Sequence, residues 1–270
     1  MSGTAELADL YSAIEEAARL LDSVCSRDKV WPIMTAYGDS LAQAVIAFRV
    51  ATGTRNAGDL DCRFTMLPKD VDPYVVALSN GLATATGHPV DDLLSDIRER
   101  FPVDCYGIDF GVVGGFKKTW SFFPPDDLQK LSELADLPSM PRSLAENVDF
   151  FARHGLEDKA SLIGIDYRHR TLNIYFGEPP AECFEPKTVI SMLREIGLPD
   201  PSEQMLELGQ EAFGIYVTLG WDSLKVQRLC LAVMTQDPAS LSTRLDPKIE
   251  HFAKNAPCAA ADRRFVYAVT

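Results

Sequence analysis

Three cations, Arg63, Lys118 and Arg228, stand in stretches where polar and apolar residues alternate as they do in extended backbone. In "GGFKKTWSFF", a period of two puts Lys118, Trp120 and Phe122 on one face and Lys117, Thr119, Ser121 and Phe123 on the other. In "DLDCRF", Asp59, Asp61 and Arg63 alternate with Leu60, Cys62 and Phe64. "RLCLAV" sets Arg228 against Leu229, Leu231 and Val233. "DYRHRTLNIYF" puts His169, Thr171, Asn173 and Tyr175 opposite Leu172, Ile174 and Phe176. "FGIYVTLG" alternates Tyr216 and Thr218 with Phe213, Ile215, Val217 and Leu219. Cations joined by amide, imidazole and phenol donors, among aromatic rings, are suited to hold an anion such as phosphate or diphosphate. Each residue alone has a blander reading. A strand lysine is usually solvated, a strand Tyr or Asn is a structural hydrogen-bonder, and an arginine is a salt-bridge partner.

The elements that must position these residues recur. Two helical patterns and then two extended segments appear four times. They begin with "ELADLYSAIEEAARLL", whose apolar stripe runs through Leu7, Leu10, Tyr11, Ile14, Ala17, Ala18 and Leu21. A last helix, "LDPKIEHFAKN", and one strand, "RRFVYAVT", follow. Asp61, Lys118, Asn173 and Arg228 each fall in the second strand of a unit, 57, 55 and 55 residues apart, which is the spacing of a repeat. Strands joined by tight turns pair antiparallel. Closing them into a barrel removes exposed edges. The expected fold is α+β: an antiparallel β-barrel of about ten strands ringed by helices, built from repeated αα-ββ units as one domain. The apolar strand faces meet the helices, and the polar face lines a lumen that holds the ligand.

Composition narrows the function. A net charge of −13 makes the chain a poor partner for nucleic acid or an anionic membrane, so any phosphate must meet a local cationic pocket. The six cysteines are scattered, with no CxxC pair and no zinc spacing, as in a reduced cytoplasmic protein. The N-terminal stretch lacks the basic and apolar regions of a signal peptide. No apolar run reaches the length of a membrane helix. "HPVDDLLSDIRERF" misses a DDxxD magnesium motif by one place. "GVVGG" precedes a strand, so it is no dinucleotide-binding turn.

At "GGFKKTW", "GLEDKASLIGIDYRHRTLNIYF" and "YVTLGWDSLKVQRLC" the chain resembles the ABBA aromatic prenyltransferases, the CloQ/NphB-like family of bacterial secondary metabolism. The likeness runs from about residue 4 to 270. It implies a ten-stranded barrel with its site in the lumen, and transfer of a dimethylallyl or geranyl group from its diphosphate to a carbon of an electron-rich phenol or dihydroxynaphthalene. It assigns the diphosphate to Lys118, Asn173, Tyr216 and Arg228, with Arg63 and His169 adding to the set. Lys118, Tyr216 and Arg228 are then the catalytic residues that stabilise the leaving group. Trp120, Tyr175, Phe213 and Gly214 are assigned to the prenyl and aromatic pockets. His169 stands where the family can have lysine, and Gly214 replaces a serine that contacts the acceptor in one member. Asp61 matches the aspartate that serves magnesium where magnesium is used. Arg63, two residues on, is the type of cation found in metal-independent members. The expectation is an enzyme without cofactor, independent of magnesium and monomeric. The family continues past "FVYAVT" with a further strand and helix carrying another diphosphate lysine and a tyrosine, which are expected to be missing here. Two rivals stay open at this point: a barrel that binds such a ligand without turnover, and a phosphohydrolase acting on a prenyl diphosphate.

Overall fold

The computed structural model describes residues 2–41, 44–51, 60–241, 245–258 and 263–270. Among these, helices and strands alternate as the repeat requires. Helices α1 (Ser2–Arg19), α2 (Arg27–Ala36) and α3 (Gly38–Leu41) precede strands β1 (Val45–Arg49) and β2 (Asp61–Leu67). Helices α4 (Pro73–Ser79) and α5 (Leu93–Arg100) precede β3 (Cys105–Gly111) and β4 (Gly115–Phe122). Then come α6 (Leu131–Ala135), α7 (Arg142–Ala145) and α8 (Val148–Arg153), followed by β5 (Ala160–Asp166) and β6 (Thr171–Phe176). Helices α9 (Pro186–Glu195) and α10 (Glu203–Gly209) lead into β7 (Gly214–Gly220) and β8 (Arg228–Thr235). Helix α11 (Pro247–Asn255) and strand β9 (Phe265–Val269) complete the order.

Local chemistry sets these boundaries. Proline opens α4, α9 and α11, where its missing N–H costs nothing and its fixed φ suits the first turn. Asp72, Ser202 and Asp246 cap α4, α10 and α11 by accepting from backbone N–H groups that the helix leaves unpaired.

The strands form one antiparallel order that follows the sequence, β1 through β9. The class is therefore α+β, with helix groups alternating with hairpins, as expected. The chain folds as two compact units. The first holds residues 1–86, 105–120 and 245–263; the second holds 87–104, 121–244 and 264–270.

In the first unit, Asp61 to Phe64 of β2 pair with Gly111 to Ile108 of β3 in regular register. The register then shifts, with Leu67 opposite Tyr106, and Met66 takes a positive φ of 64°. Such a bulge bends the strand. Gly107 sits against it, and a Cβ there would lie 2.8 Å from the Phe64 carbonyl oxygen. Leu60, Cys62, Phe64, Ile108 and Phe110 are buried, with the Phe64 and Phe110 rings edge to face.

The second unit shows the alternation at its clearest. Leu172, Ile174 and Phe176 of β6, Ile215, Val217 and Leu219 of β7, and Leu229, Leu231 and Val233 of β8 are buried. Helix α10 packs on β8 and α7 on β7, so this apolar face meets helices, as the pattern requires. The alternate residues of these strands are the candidate site.

Candidate active site

In the second unit the polar residues fall into rows across three strands. Asn173 of β6 is paired with Thr218 of β7, and Thr218 with Arg228 of β8. Thr218 Oγ1 donates to Asn173 Oδ1 at 2.8 Å and accepts from Arg228 Nε at 3.2 Å and Nη2 at 3.1 Å. Among the described residues no carboxylate pairs with Arg228. Its charge is held by a neutral hydroxyl and remains available to an anion. The next row is Tyr175, Tyr216 and Cys230. The two phenol rings stack with centroids 4.5 Å apart and 16° between planes, and the Arg228 guanidinium lies 5.8 Å from the Tyr216 centroid. Burial, with Cys230 and Tyr175 beside it, pushes the Tyr216 phenol far above its ordinary range, so it stays an O–H donor.

The first unit holds a second cluster. Arg63 donates Nε and Nη2 to the two oxygens of Asp109 at 2.7 and 2.9 Å, and its guanidinium stacks 3.9 Å from the Trp120 ring centroid. Trp120 Nε1 donates to the same Asp109 at 2.8 Å. Burial alone would raise the Asp109 carboxyl, but Arg63, helped by Lys118 and Arg49, holds it below the usual aspartate range. Asp61 accepts from Lys117 Nζ at 2.5 Å and from Arg49 Nη1 at 3.3 Å, on opposite carboxylate oxygens. Lys118 is buried. Arg49, Arg63, Lys117 and Lys118 thus gather around the carboxylates of Asp61 and Asp109.

These placements refine the sequence reading. Asn173, Tyr175, Tyr216 and Arg228 come together in one unit, and Asp61, Arg63, Lys118 and Trp120 in the other. Asp59 lies outside the described residues. His169 is not on the strand face where the alternation put it. Residues 167–170 form the β5–β6 turn, and His169 is exposed there, its backbone N–H and ring bonded to Asp166. Phe213 stands one residue before β7 and is 51% exposed; its parity sets it opposite Tyr216 and Thr218. Trp120 keeps only 1% of its surface and seats the Arg63 guanidinium on its ring. Gly214 shares the face of Tyr216, and a Cβ there would meet nothing within 4 Å.

Sequence reasoning missed Asp109, Thr218, Lys117 and Arg49. Asp109 was visible as the single acid in "YGIDFGV", flanked by Ile108 and Phe110. Thr218 stood in the right alternation and was given no role. Lys117 falls on the wrong face by period two, yet its long side chain reaches Asp61. Among the described residues no group of three His, Cys, Asp or Glu side chains is placed to hold a metal. Nor is any helix among them long and apolar enough to cross a membrane.

Comparison with known proteins supplies the chemistry. The family "Aromatic prenyltransferase Orf2" matches residues 5–270. The chain is 57% identical over 270 residues to the 5,10-dihydrophenazine-1-carboxylate 9-dimethylallyltransferase of Streptomyces anulatus, spanning 100% of this chain and 90% of that one. It is 53% identical to the flaviolin linalyltransferase of Streptomyces virginiae, over 99% of this chain and 89% of that enzyme. It is also 53% identical to a furaquinocin biosynthesis prenyltransferase of Streptomyces sp. (strain KO-3988), over 97% and 85%. Both the binding-only and the phosphohydrolase readings give way to the catalytic one. The chain belongs to the aromatic prenyltransferase Orf2 family and is an enzyme that transfers prenyl groups to aromatic acceptors.

Proposed function

We propose that this enzyme transfers a dimethylallyl or geranyl group from its diphosphate to a ring carbon of a phenol or dihydroxynaphthalene, with fused electron-rich rings as the preferred class. The relatives that act on a dihydrophenazine and on flaviolin support that preference. The observation that carries the reading is the row of donors around Arg228, a guanidinium with no carboxylate partner among the described residues.

In the reaction the allylic C–O bond breaks and its electron pair leaves on the diphosphate. Arg228, the Asn173 amide and the Tyr216 hydroxyl stabilise that charge as it grows. The family resemblance gives Lys118 the same task. The allylic cation is met by the stacked Tyr175 and Tyr216 rings, whose faces are electron-rich. A ring carbon of the acceptor then bonds to the cation, and the ring proton passes to water or diphosphate. Positioning does most of this work, and no dedicated base is needed.

The reaction runs without magnesium. Asp61 is the residue a metal would need, and both its oxygens are engaged by cations, Lys117 on one and Arg49 on the other. Those residues do not suit a magnesium ion. Arg63 is a cation in the same cluster, though half of its guanidinium edge is committed to Asp109. We read the enzyme as a cytoplasmic monomer acting on small molecules.

The test uses the purified chain, a dihydroxynaphthalene and either donor, with EDTA in one arm and magnesium in the other, read by mass spectrometry. A prenyl mass gain in both arms is expected. A gain only with magnesium would refute the metal-free reading, and an undiminished gain with Arg228→Met would refute the site.

A further inference from the structure

We infer that Thr218 is a positioning residue. Its hydroxyl sets the orientation in which Asn173 and Arg228 face an anion. The inference rests on the reading of those two residues as diphosphate holders and adds a third residue to them.

Thr218 is 7% exposed, on a strand where valine would pack as well. What distinguishes it is one oxygen with one hydrogen. Arginine can only donate, so Arg228 Nε and Nη2 place their hydrogens on that oxygen. The hydroxyl hydrogen then goes to Asn173 Oδ1 at 2.8 Å. Flipping the Asn173 amide would turn its NH2 toward Thr218, leave the hydroxyl hydrogen without that acceptor, and point an oxygen outward. The chain of bonds therefore has a direction. It ends with the amide nitrogen, a donor, on the side away from Thr218.

The consequence for recognition is a count of donors. Arg228 carries five N–H groups and commits two to Thr218, leaving three; Asn173 Nδ2 adds two. A diphosphate meets donors only. Without the hydroxyl, Arg228 loses the bonds that hold one rotamer of a long side chain, and Asn173 loses the reason for its amide orientation. Both residues remain, unaligned. The strand register reinforces the assignment, because Asn173, Thr218 and Arg228 are direct cross-strand partners and need no backbone adjustment to meet.

The experiment measures binding of inorganic pyrophosphate by titration calorimetry to the whole chain and to Thr218→Val, Thr218→Ser, Thr218→Ala and Arg228→Met, with donor and acceptor KM measured alongside. Loss of one charge-assisted hydrogen bond corresponds to about a tenfold loss of affinity. Thr218→Val is expected to bind pyrophosphate about tenfold more weakly and to raise the donor KM by a similar factor, with the acceptor KM unchanged. Thr218→Ser, which keeps the hydroxyl, is expected to restore both. A purely structural role would move both KM values together and would show no rescue by serine. Should valine impair folding, Thr218→Ala removes the same hydroxyl from a smaller side chain. Wild-type binding by the valine or alanine variant, with binding lost in Arg228→Met, would overturn the role of Thr218 and leave the site intact. Wild-type binding by Arg228→Met would overturn the site reading and this inference with it.

Discussion

Replacing Asp109 by asparagine tests the first-unit cluster most directly. The carboxylate is 1% exposed, while the Arg63 side chain keeps 24% of its surface. Charge centres about 4 Å apart attract by about 4 kcal/mol at an effective dielectric constant of about 20. Breaking a buried pair by removing one partner costs about 3–5 kcal/mol, because the other charge stays behind. The partial exposure of Arg63 lets water recover some of this, so Asp109→Asn should lower stability by about 3 kcal/mol. The new amide also turns a donor toward a guanidinium that can only donate. Urea unfolding followed by tryptophan fluorescence reads the loss, since Trp120 bonds the same carboxylate. Adding Arg63→Gln removes the stranded charge and should recover about 2 kcal/mol of it, a coupling that a double-mutant cycle isolates. A loss below about 1 kcal/mol, or additive effects of the two substitutions, would refute the reasoning. The pH dependence has a fixed sign. The folded carboxyl sits below its ordinary value of 3.8, so its stabilisation is complete above that pH and fades as pH falls through the lower folded value. Asp109→Asn should not show that acid limb.

Three further outcomes follow from other contacts. Gly107→Ala forces a Cβ to within 2.8 Å of a backbone oxygen and should cost about 1–3 kcal/mol in urea unfolding, whereas Gly214→Ala, with open space around it, should leave the midpoint in place. Arg228→Met should lower kcat/KM for the prenyl diphosphate by about 10²–10³, the size of one lost transition-state donor, while Arg142→Met on the exposed α7 surface should not. Because Tyr216 keeps its proton, the phenolate absorbance gained on titrating the folded protein to about pH 10 should be the same in Tyr216→Phe as in wild type.

What could be read from the sequence was set by periodicity. Leu172, Ile174 and Phe176 announce a buried face, and the opposite face of β6 follows without further information. The position of β6 against β7 does not follow, because register depends on turn geometry and bulges. The pairing of Asn173 with Thr218, and of Thr218 with Arg228, was therefore invisible even though all three residues were in view. His169 was misplaced because alternation continued into a turn that Asp166 closes from inside the strand. The resemblance set Trp120 against the prenyl chain, and the arginine from another strand that stacks on its ring could not be read from its neighbours along the chain. Lys117 shows the limit of parity itself: four methylene groups carry its charge to the Asp61 carboxylate whichever way its Cβ starts.

The strand order has a consequence during synthesis. In a sheet whose order follows the sequence, each strand leaving the ribosome finds its partner already made, so pairing can advance with translation. The first unit cannot finish that way. Its last section, residues 245–263, includes α11, whose Phe252 ring meets the edge of Phe48 on β1 at a centroid distance of 6.0 Å. The surface that α11 covers stays open until residues 245–263 have emerged. A nascent chain stalled before residue 245 therefore carries paired strands and an uncovered apolar face, the state in which a ribosome-associated chaperone has the most to bind.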